Sequence, residues 1–225
     1  MPNNRPLTSS PIHLSYRLFG SLPSSLVHKL ETELEDDMID LHARRSLPSR
    51  HPTFLPQHDF IEQRRIIQIK SYLKADRYLD MRKDGPCFLK GAAAKRVIIE
   101  SWQNIAEQYG LILYIVCVMS NHVHVVVAAD DGEAQIDLKL LMTRHKHFTA
   151  VKLNQLQNCK GRKVWSKNKY DTEIRPGQFA STVWYVLKNP LKAGLCSREN
   201  VLDWVGTWWN PILEQEYIRP YRMTA

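Results

Sequence analysis

The chain has 225 residues, 44% of them hydrophobic, which supplies a real core and excludes a disordered polymer. Against 23 Asp and Glu stand 31 Lys and Arg, a formal net charge of +8 that points to an anionic partner, nucleic acid above all. Cys87, Cys117, Cys159 and Cys196 lie far apart with no C-x-x-C pair, which excludes a ribbon-type zinc site and argues against a disulfide framework. No apolar run approaches the ~20 residues that spanning a bilayer requires, and the polar start M-P-N-N-R-P-L-T-S-S-P does not read as a signal peptide, so the expected location is cytoplasmic.

Residues 12–19, I-H-L-S-Y-R-L-F, alternate imperfectly between apolar and polar and predict a strand, stopped by Gly20 and Pro23. Ser24 or Ser25 is the expected cap of a helix to about Arg45, with Leu26, Leu30, Leu34, Met38 and Leu41 on one stripe. Residues 46–56 contain three prolines and read as a connector. A second helix is predicted from about Asp59 to Met81, ended by the turn R-K-D-G-P, and a third from Ala92 to Tyr109, stopped by Gly110.

Residues 111–119, L-I-L-Y-I-V-C-V-M, are apolar at nearly every position and predict a strand covered on both faces. After the turn M-S-N, H-V-H-V-V-V-A-A supplies its partner strand. Residues 135–157 predict a helix bearing the basic patch R-H-K-H-F-T-A-V-K. The aromatic segment V-W-S-K-N-K-Y-D reads as a short strand, and a last helix is expected from about Gly177 to Leu187, ended by Asn189-Pro190. The aromatic tail W-V-G-T-W-W-N-P is expected to pack back on the domain. Strands and helices interleave without the regular alternation of a doubly wound sheet. The expectation is an α+β fold: a small antiparallel sheet with helices on one face. Residues 1–225 form a single domain in this reading, with 24–90 as a helical insertion and 196–225 as an aromatic C-terminal tail.

Strand side chains alternate between faces, so His122 and His124 point the same way while Val123 and Val125 enter the core. Their side-chain origins lie about 7 Å apart, two residue rises, and two imidazoles at that separation can converge on one metal ion. An isolated H-x-H is more often a pair of hydrogen-bonded histidines. Here the pair forms one polar face on an otherwise apolar, rigid strand, which favours a site. Tyr185 and Asn189 stand at i and i+4, on one face of a helix. By themselves they read as a core tyrosine and a helix-stop residue before Pro190. His145 and His147 form a second H-x-H, but helical positions i and i+2 point about 200° apart, which rejects that pair as a metal site.

V-M-S-N-H-V-H-V-V-V resembles the HUH motif of the single-tyrosine transposases, and most closely the REP-associated tyrosine transposases, relatives of the IS200-type enzymes. Family members usually have V-M-P-N-H-V-H, and Ser120 stands here in place of the proline. L-S-Y-R-L-F-G-S-L-P is similar to the family's first strand and turn, D-G-P-C-F-L-K to a segment of one subgroup, and H-K-H-F-T-A-V-K-L-N with G-R-K-V-W-S-K-N-K-Y-D to its helix and following segment. The most specific likeness is W-Y-V-L-K-N-P-L-K-A-G-L, residues 184–195, to the family's Y-I-x-x-N-P-V-K-A-G-L. The resemblance implies a ferredoxin-like HUH domain with Tyr185 as nucleophile and His122, His124 and Asn189 as ligands of a divalent ion, Mg2+ or Mn2+. It further implies cleavage and rejoining of single-stranded or hairpin DNA through a 5′-phosphotyrosine, by a monomer or by a homodimer that exchanges tyrosine helices, without a small-molecule cofactor or a membrane.

Arg144, Lys146, Lys152, Arg162, Lys163, Lys167 and Lys169 cluster in sequence around Phe148, Trp165 and Tyr170. Cations mixed with aromatics suit a groove that tracks a nucleic-acid backbone and stacks its bases, although a solvated basic face with core aromatics explains any one of them equally well. Tyr170, Asp171 and Arg175 match a family segment but receive no role. Two other functions compete. A metal-dependent hydrolase needs further acidic or histidine ligands at strand ends, and no clear set is present. A catalytically inactive or domesticated hairpin-binding protein would carry the same fold.

Overall fold

The computed structural model describes residues 6–81, 84–131 and 135–219. Its elements, in chain order, are β1 (Pro6–Leu7), β2 (Ile12–Leu18), α1 (Ser24–Arg45), α2 (Gln57–Met81), α3 (Ala92–Tyr109), β3 (Leu111–Val118), β4 (His122–Ala129), β5 (Ile136–Asp137), α4 (Leu138–Leu156), β6 (Trp165–Glu173), α5 (Phe179–Leu187), α6 (Asn189–Lys192) and β7 (Thr207–Trp209). The fold is α+β. A five-stranded sheet has the order β6-β2-β4-β3-β7, and every neighbouring pair in it is antiparallel. The chain divides into two compact units: one from the described residues of Met1–Ser21 and Pro86–Ala225, which holds the sheet, and Leu22–Gly85.

All eight residues of β4 are buried. A strand without one polar face needs apolar cover on both sides, and the sheet has it. Val123, Val125 and Val127 point to a cluster with Ile98 and Trp102 of α3 and Leu141 and Met142 of α4. Val126 points the other way, to Val183, Val186 and Leu187 of α5. Helices therefore cover both faces, not the one face that the element order suggested. In β3 the register shifts between Leu113 and Ile115, which moves Leu113 and Ile115 into opposite clusters although they are two apart.

Local chemistry sets several boundaries. Gly110 ends α3 with φ 59°, the left-handed conformation that glycine adopts without a Cβ penalty, and its N–H donates to the Ala106 carbonyl. The α4 helix begins at 138 and not at 135, because the Asp137 carboxylate accepts from the N–H groups of Lys139 and Leu140 at 2.8 and 3.1 Å. Pro23, not Ser24 or Ser25, is the residue before α1, and no side chain caps that helix. Asn189-Pro190 does not stop the last helix outright: Pro190 occupies the first turn of α6, where a missing N–H costs nothing. Of the turn R-K-D-G-P, Arg82 and Lys83 lie outside the described residues.

The aromatic tail returns to the sheet as its fifth strand, β7 on β3. Val118 N–H donates to the Gly206 carbonyl at 2.7 Å, and a Cβ on Gly206 would stand 2.4 Å from the Trp204 ring, so the close approach requires glycine. In the Leu22–Gly85 unit, α1 and α2 pack with Leu30, Leu41 and Leu79 buried. Leu26, Leu34 and Met38, the rest of the predicted stripe, are only partly buried.

Candidate active site

His122 and His124 occupy the first and third positions of β4 and point to the α5 side of the sheet, the same side as Val126. Both are fully buried. Their rings stand nearly perpendicular with centroids 4.8 Å apart, and one ring nitrogen of each lies within 4.8 Å of the other. Burial, followed by the nearby His122, His13 and Lys192, holds the His124 imidazole well below its ordinary range, so the ring is neutral at neutral pH. Neutral imidazole is the form that binds a metal.

On α5, Tyr185 faces the same place. Its ring lies edge-on to His124 at 6.0 Å and to His13 at 5.8 Å. Four residues on, Asn189 is fully buried, and neither its amide oxygen nor its amide nitrogen has a hydrogen-bond partner among the described residues. Leaving both ends of a buried amide unsatisfied costs about 1–3 kcal/mol, which a structural helix stop does not explain and a ligand would offset. The donor set therefore fits a divalent ion: two buried imidazoles on one strand face, that of His124 neutral, and an amide oxygen without a partner among the described residues.

Two residues at this site were not singled out from sequence. His13 of β2 points to the same side, since His13 pairs with Val126 and Ser15 with His124. Its Nε2 lies 3.2 Å from His124 Nδ1, and the two rings stack at 5.5 Å and 19°. The signal was in I-H-L-S-Y-R-L-F, where the polar positions of the alternation are His13, Ser15 and Arg17, one face of a strand. Lys192 places its ammonium 3.9 Å from the centre of the Tyr185 ring. Its position three residues after Asn189 is visible in sequence; its turn toward Tyr185 depends on α6.

The second H-x-H divides as the helix requires. His147 is exposed, and His145 is fully buried. His145 Nε2 is 2.6 Å from Tyr16 Oη, its Nδ1 is 2.9 Å from Ser101 Oγ, and Trp102 Nε1 donates to Tyr16 Oη at 3.0 Å. Burial lowers the pKa of His145 to about 3. Since that value lies below the unfolded ~6.5, the stability tied to the neutral ring is complete above pH 6.5 and is lost as pH falls from there toward 3. We expect each such buried histidine to remove about 1.4 kcal/mol of stability per pH unit over that window. Urea unfolding at pH 7 and pH 5 checks it, and His145→Gln, less stable at pH 7, loses that share of the pH slope.

The seven predicted DNA-contacting cations separate into several settings. Lys146, Arg162, Lys163 and Lys167 line one open groove of about 400 Å³, with His147 and Trp165, on the α4 side of the sheet and away from His122 and His124. Lys146 is mostly buried, donates to the Ser166 carbonyl at 2.9 Å, and has its pKa lowered to about 8 by burial and then by Lys169 and Arg17. Lys163 lies 4.0 Å over the Phe19 ring. Arg144 hydrogen-bonds Tyr109, Lys152 lies beside Phe148, and Lys169 pairs with Asp171. Among the aromatics only Phe148 is well exposed; Trp165 belongs to the core and donates to Thr149 Oγ1 at 2.9 Å, and Tyr170 rests against His13.

Arg162 is built into the fold. Its guanidinium stacks 3.8 Å from the Phe88 ring and donates to Asn154 and Gln157 at 3.0 and 2.8 Å. Arg162→Ala is expected to cost about 1–3 kcal/mol in urea unfolding, whereas Lys167→Ala stays within about 0.5 kcal/mol of wild type.

Residues 86–182, less than half of the chain, match the family model described as "Transposase IS200 like". The matched stretch contains His122 and His124 and ends before Tyr185. No curated protein matches significantly. Among solved structures, one described as "Structure of the REP associates tyrosine transposase bound to a REP hairpin" aligns with 10% identity and a TM-score of 0.43 over 91% of this chain and 79% of that one. Among the described residues no helix is long and apolar enough to cross a membrane.

Proposed function

We propose, from the match of residues 86–182 to the IS200-like transposase family model, that the chain is a tyrosine transesterase that cuts and rejoins single-stranded or hairpin-associated DNA. The observation that carries the reading is Tyr185 set edge-on to the buried, neutral His124, which shares its strand face with the buried His122, with the Asn189 amide four residues after Tyr185 lacking a hydrogen-bond partner among the described residues. His122, His124 and Asn189 would hold a divalent ion, Mg2+ or Mn2+, which when bound supplies Lewis-acid polarisation of the scissile phosphate.

The remaining steps belong to the chain. Tyr185 Oη attacks phosphorus, a Tyr–O–P bond forms, and the bond to the 3′ oxygen breaks in line. The phenol proton leaves to solvent and the departing 3′ oxygen takes one up, giving a 5′-phosphotyrosine and a free 3′-OH. The phosphodiester is exchanged and not hydrolysed, so rejoining needs no ATP. The Lys192 ammonium at the Tyr185 ring adds positive charge where the attacking oxygen and the phosphate meet. The groove that contains Lys146, Lys163 and Lys167 serves the DNA backbone, with affinity that falls as salt rises.

The test is covalent capture. Labelled hairpin DNA with a single-stranded flank is incubated with the protein and Mn2+ or Mg2+, then resolved on a denaturing gel. A band shifted by the mass of the protein, absent in EDTA, is expected. Cleavage without an adduct favours a hydrolase, and binding without cleavage favours a hairpin-binding relative that has lost the chemistry.

A further inference from the structure

We infer that His13 and Asn121 are positioning residues that hold His124 and His122 in the tautomer with the proton on Nδ1, so that both rings present an Nε2 lone pair. The inference rests on the metal-centre reading above and extends it to the residues behind the ligands.

A neutral imidazole carries one proton on two nitrogens, so whatever Nδ1 does decides what Nε2 can do. His122 Nδ1 lies 2.6 Å from Asn121 Oδ1. An amide oxygen only accepts, so the proton sits on His122 Nδ1 and the lone pair on Nε2. For His124 the partner is another imidazole: His13 Nε2 at 3.2 Å from His124 Nδ1. Two proton placements satisfy that bond. With His13 as donor, His124 carries its proton on Nε2 and is closed to a metal. With His13 as acceptor, the proton is on His124 Nδ1 and Nε2 is open.

The placement of the two partners follows from the fold. Asn121 precedes its histidine at the β3–β4 turn, where its carbonyl also accepts from Leu18 N–H at 2.8 Å. His13 comes from the neighbouring strand, and its near-parallel stack on His124 fixes the plane of that ring. Outer partners of this kind set ligand orientation and basicity, and their loss costs about 10–100-fold in metal affinity.

Two readouts that do not depend on DNA cleavage test this. Long-range 1H–15N spectra of the metal-free protein report the tautomer of each histidine, and calorimetry reports Mn2+ affinity. In the wild type, His122 and His124 are both expected as the Nδ1–H form. In His13→Leu, His124 loses that single form and Mn2+ binds about 10–100-fold more weakly. His13→Gln, whose amide oxygen can accept, recovers affinity to within a few-fold of wild type, which a purely space-filling role would not produce. A backbone amide fingerprint identifies variants that fail to fold; for those, the wild-type tautomers decide. Wild-type His124 found with its proton on Nε2, or folded His13→Leu with unchanged Mn2+ affinity, overturns the inference. Wild type that shows the expected tautomers yet binds no Mn2+ overturns the metal-centre reading instead.

Discussion

Replacing Tyr185 with phenylalanine is expected to give a folded protein that retains hairpin binding and forms no covalent adduct. Phenylalanine keeps the ring, and with it the edge contacts to His13 at 5.8 Å and His124 at 6.0 Å and the Lys192 ammonium at 3.9 Å. Only the hydroxyl is lost, and on a half-buried ring that change belongs to the mild class, about 1 kcal/mol or less in urea unfolding. Under the proposed mechanism the chemistry has no such tolerance, because the oxygen that would bond to phosphorus is the one removed. Loss of a nucleophile costs roughly 10⁴-fold or more, which on a denaturing gel is disappearance of the adduct. A persistent adduct would place the nucleophile elsewhere, with Tyr170, edge-on to His13 at 5.9 Å, the next hydroxyl to test.

His124→Ala is expected to abolish cleavage while leaving hairpin binding within a few-fold of wild type. The two functions separate because the basic groove lies on the α4 side and His124 on the α5 side of the same sheet. The substitution also empties a fully buried site and strands His13, so a stability cost of about 2–4 kcal/mol accompanies it. His124→Gln fills most of the space and separates the effects: it should fold better than His124→Ala and still fail to cut. Normal cleavage by His124→Gln would make His124 a packing residue and sink its assignment as a ligand.

Much of the fold was legible because the local signals agree with one another. The third helix ends at a glycine that relaxes into the left-handed region, and strands β3 and β4 are dense runs of β-branched residues around a three-residue turn. The predicted strand at residues 12–19 and the helices ending at Arg45 and Met81 lie where pattern and breakers put them. The boundary errors have local causes too: Asp137 offers a better cap than anything at 135, and Pro190 opens a turn as readily as it closes one.

The chain order alone determined that His122 and His124 share a face and that Tyr185 and Asn189 share another, because both follow from the periods of strand and helix. It could not say that those two faces meet. That depends on α5 covering the side of β4 to which the histidines point, and cover on both sides arises from the apolar character of the whole of β4, a tertiary demand and not a local one. Tertiary structure also decided which basic residues are available. Arg162 and Lys167 are indistinguishable in a charge pattern, yet one is locked between Phe88, Asn154 and Gln157 and the other is exposed. Likewise His13 sits 111 residues from His124 in sequence and 3.2 Å from it in the sheet. Periodicity assigns a side chain to a face; only the register of β2 against β4 tells which imidazole stands behind which.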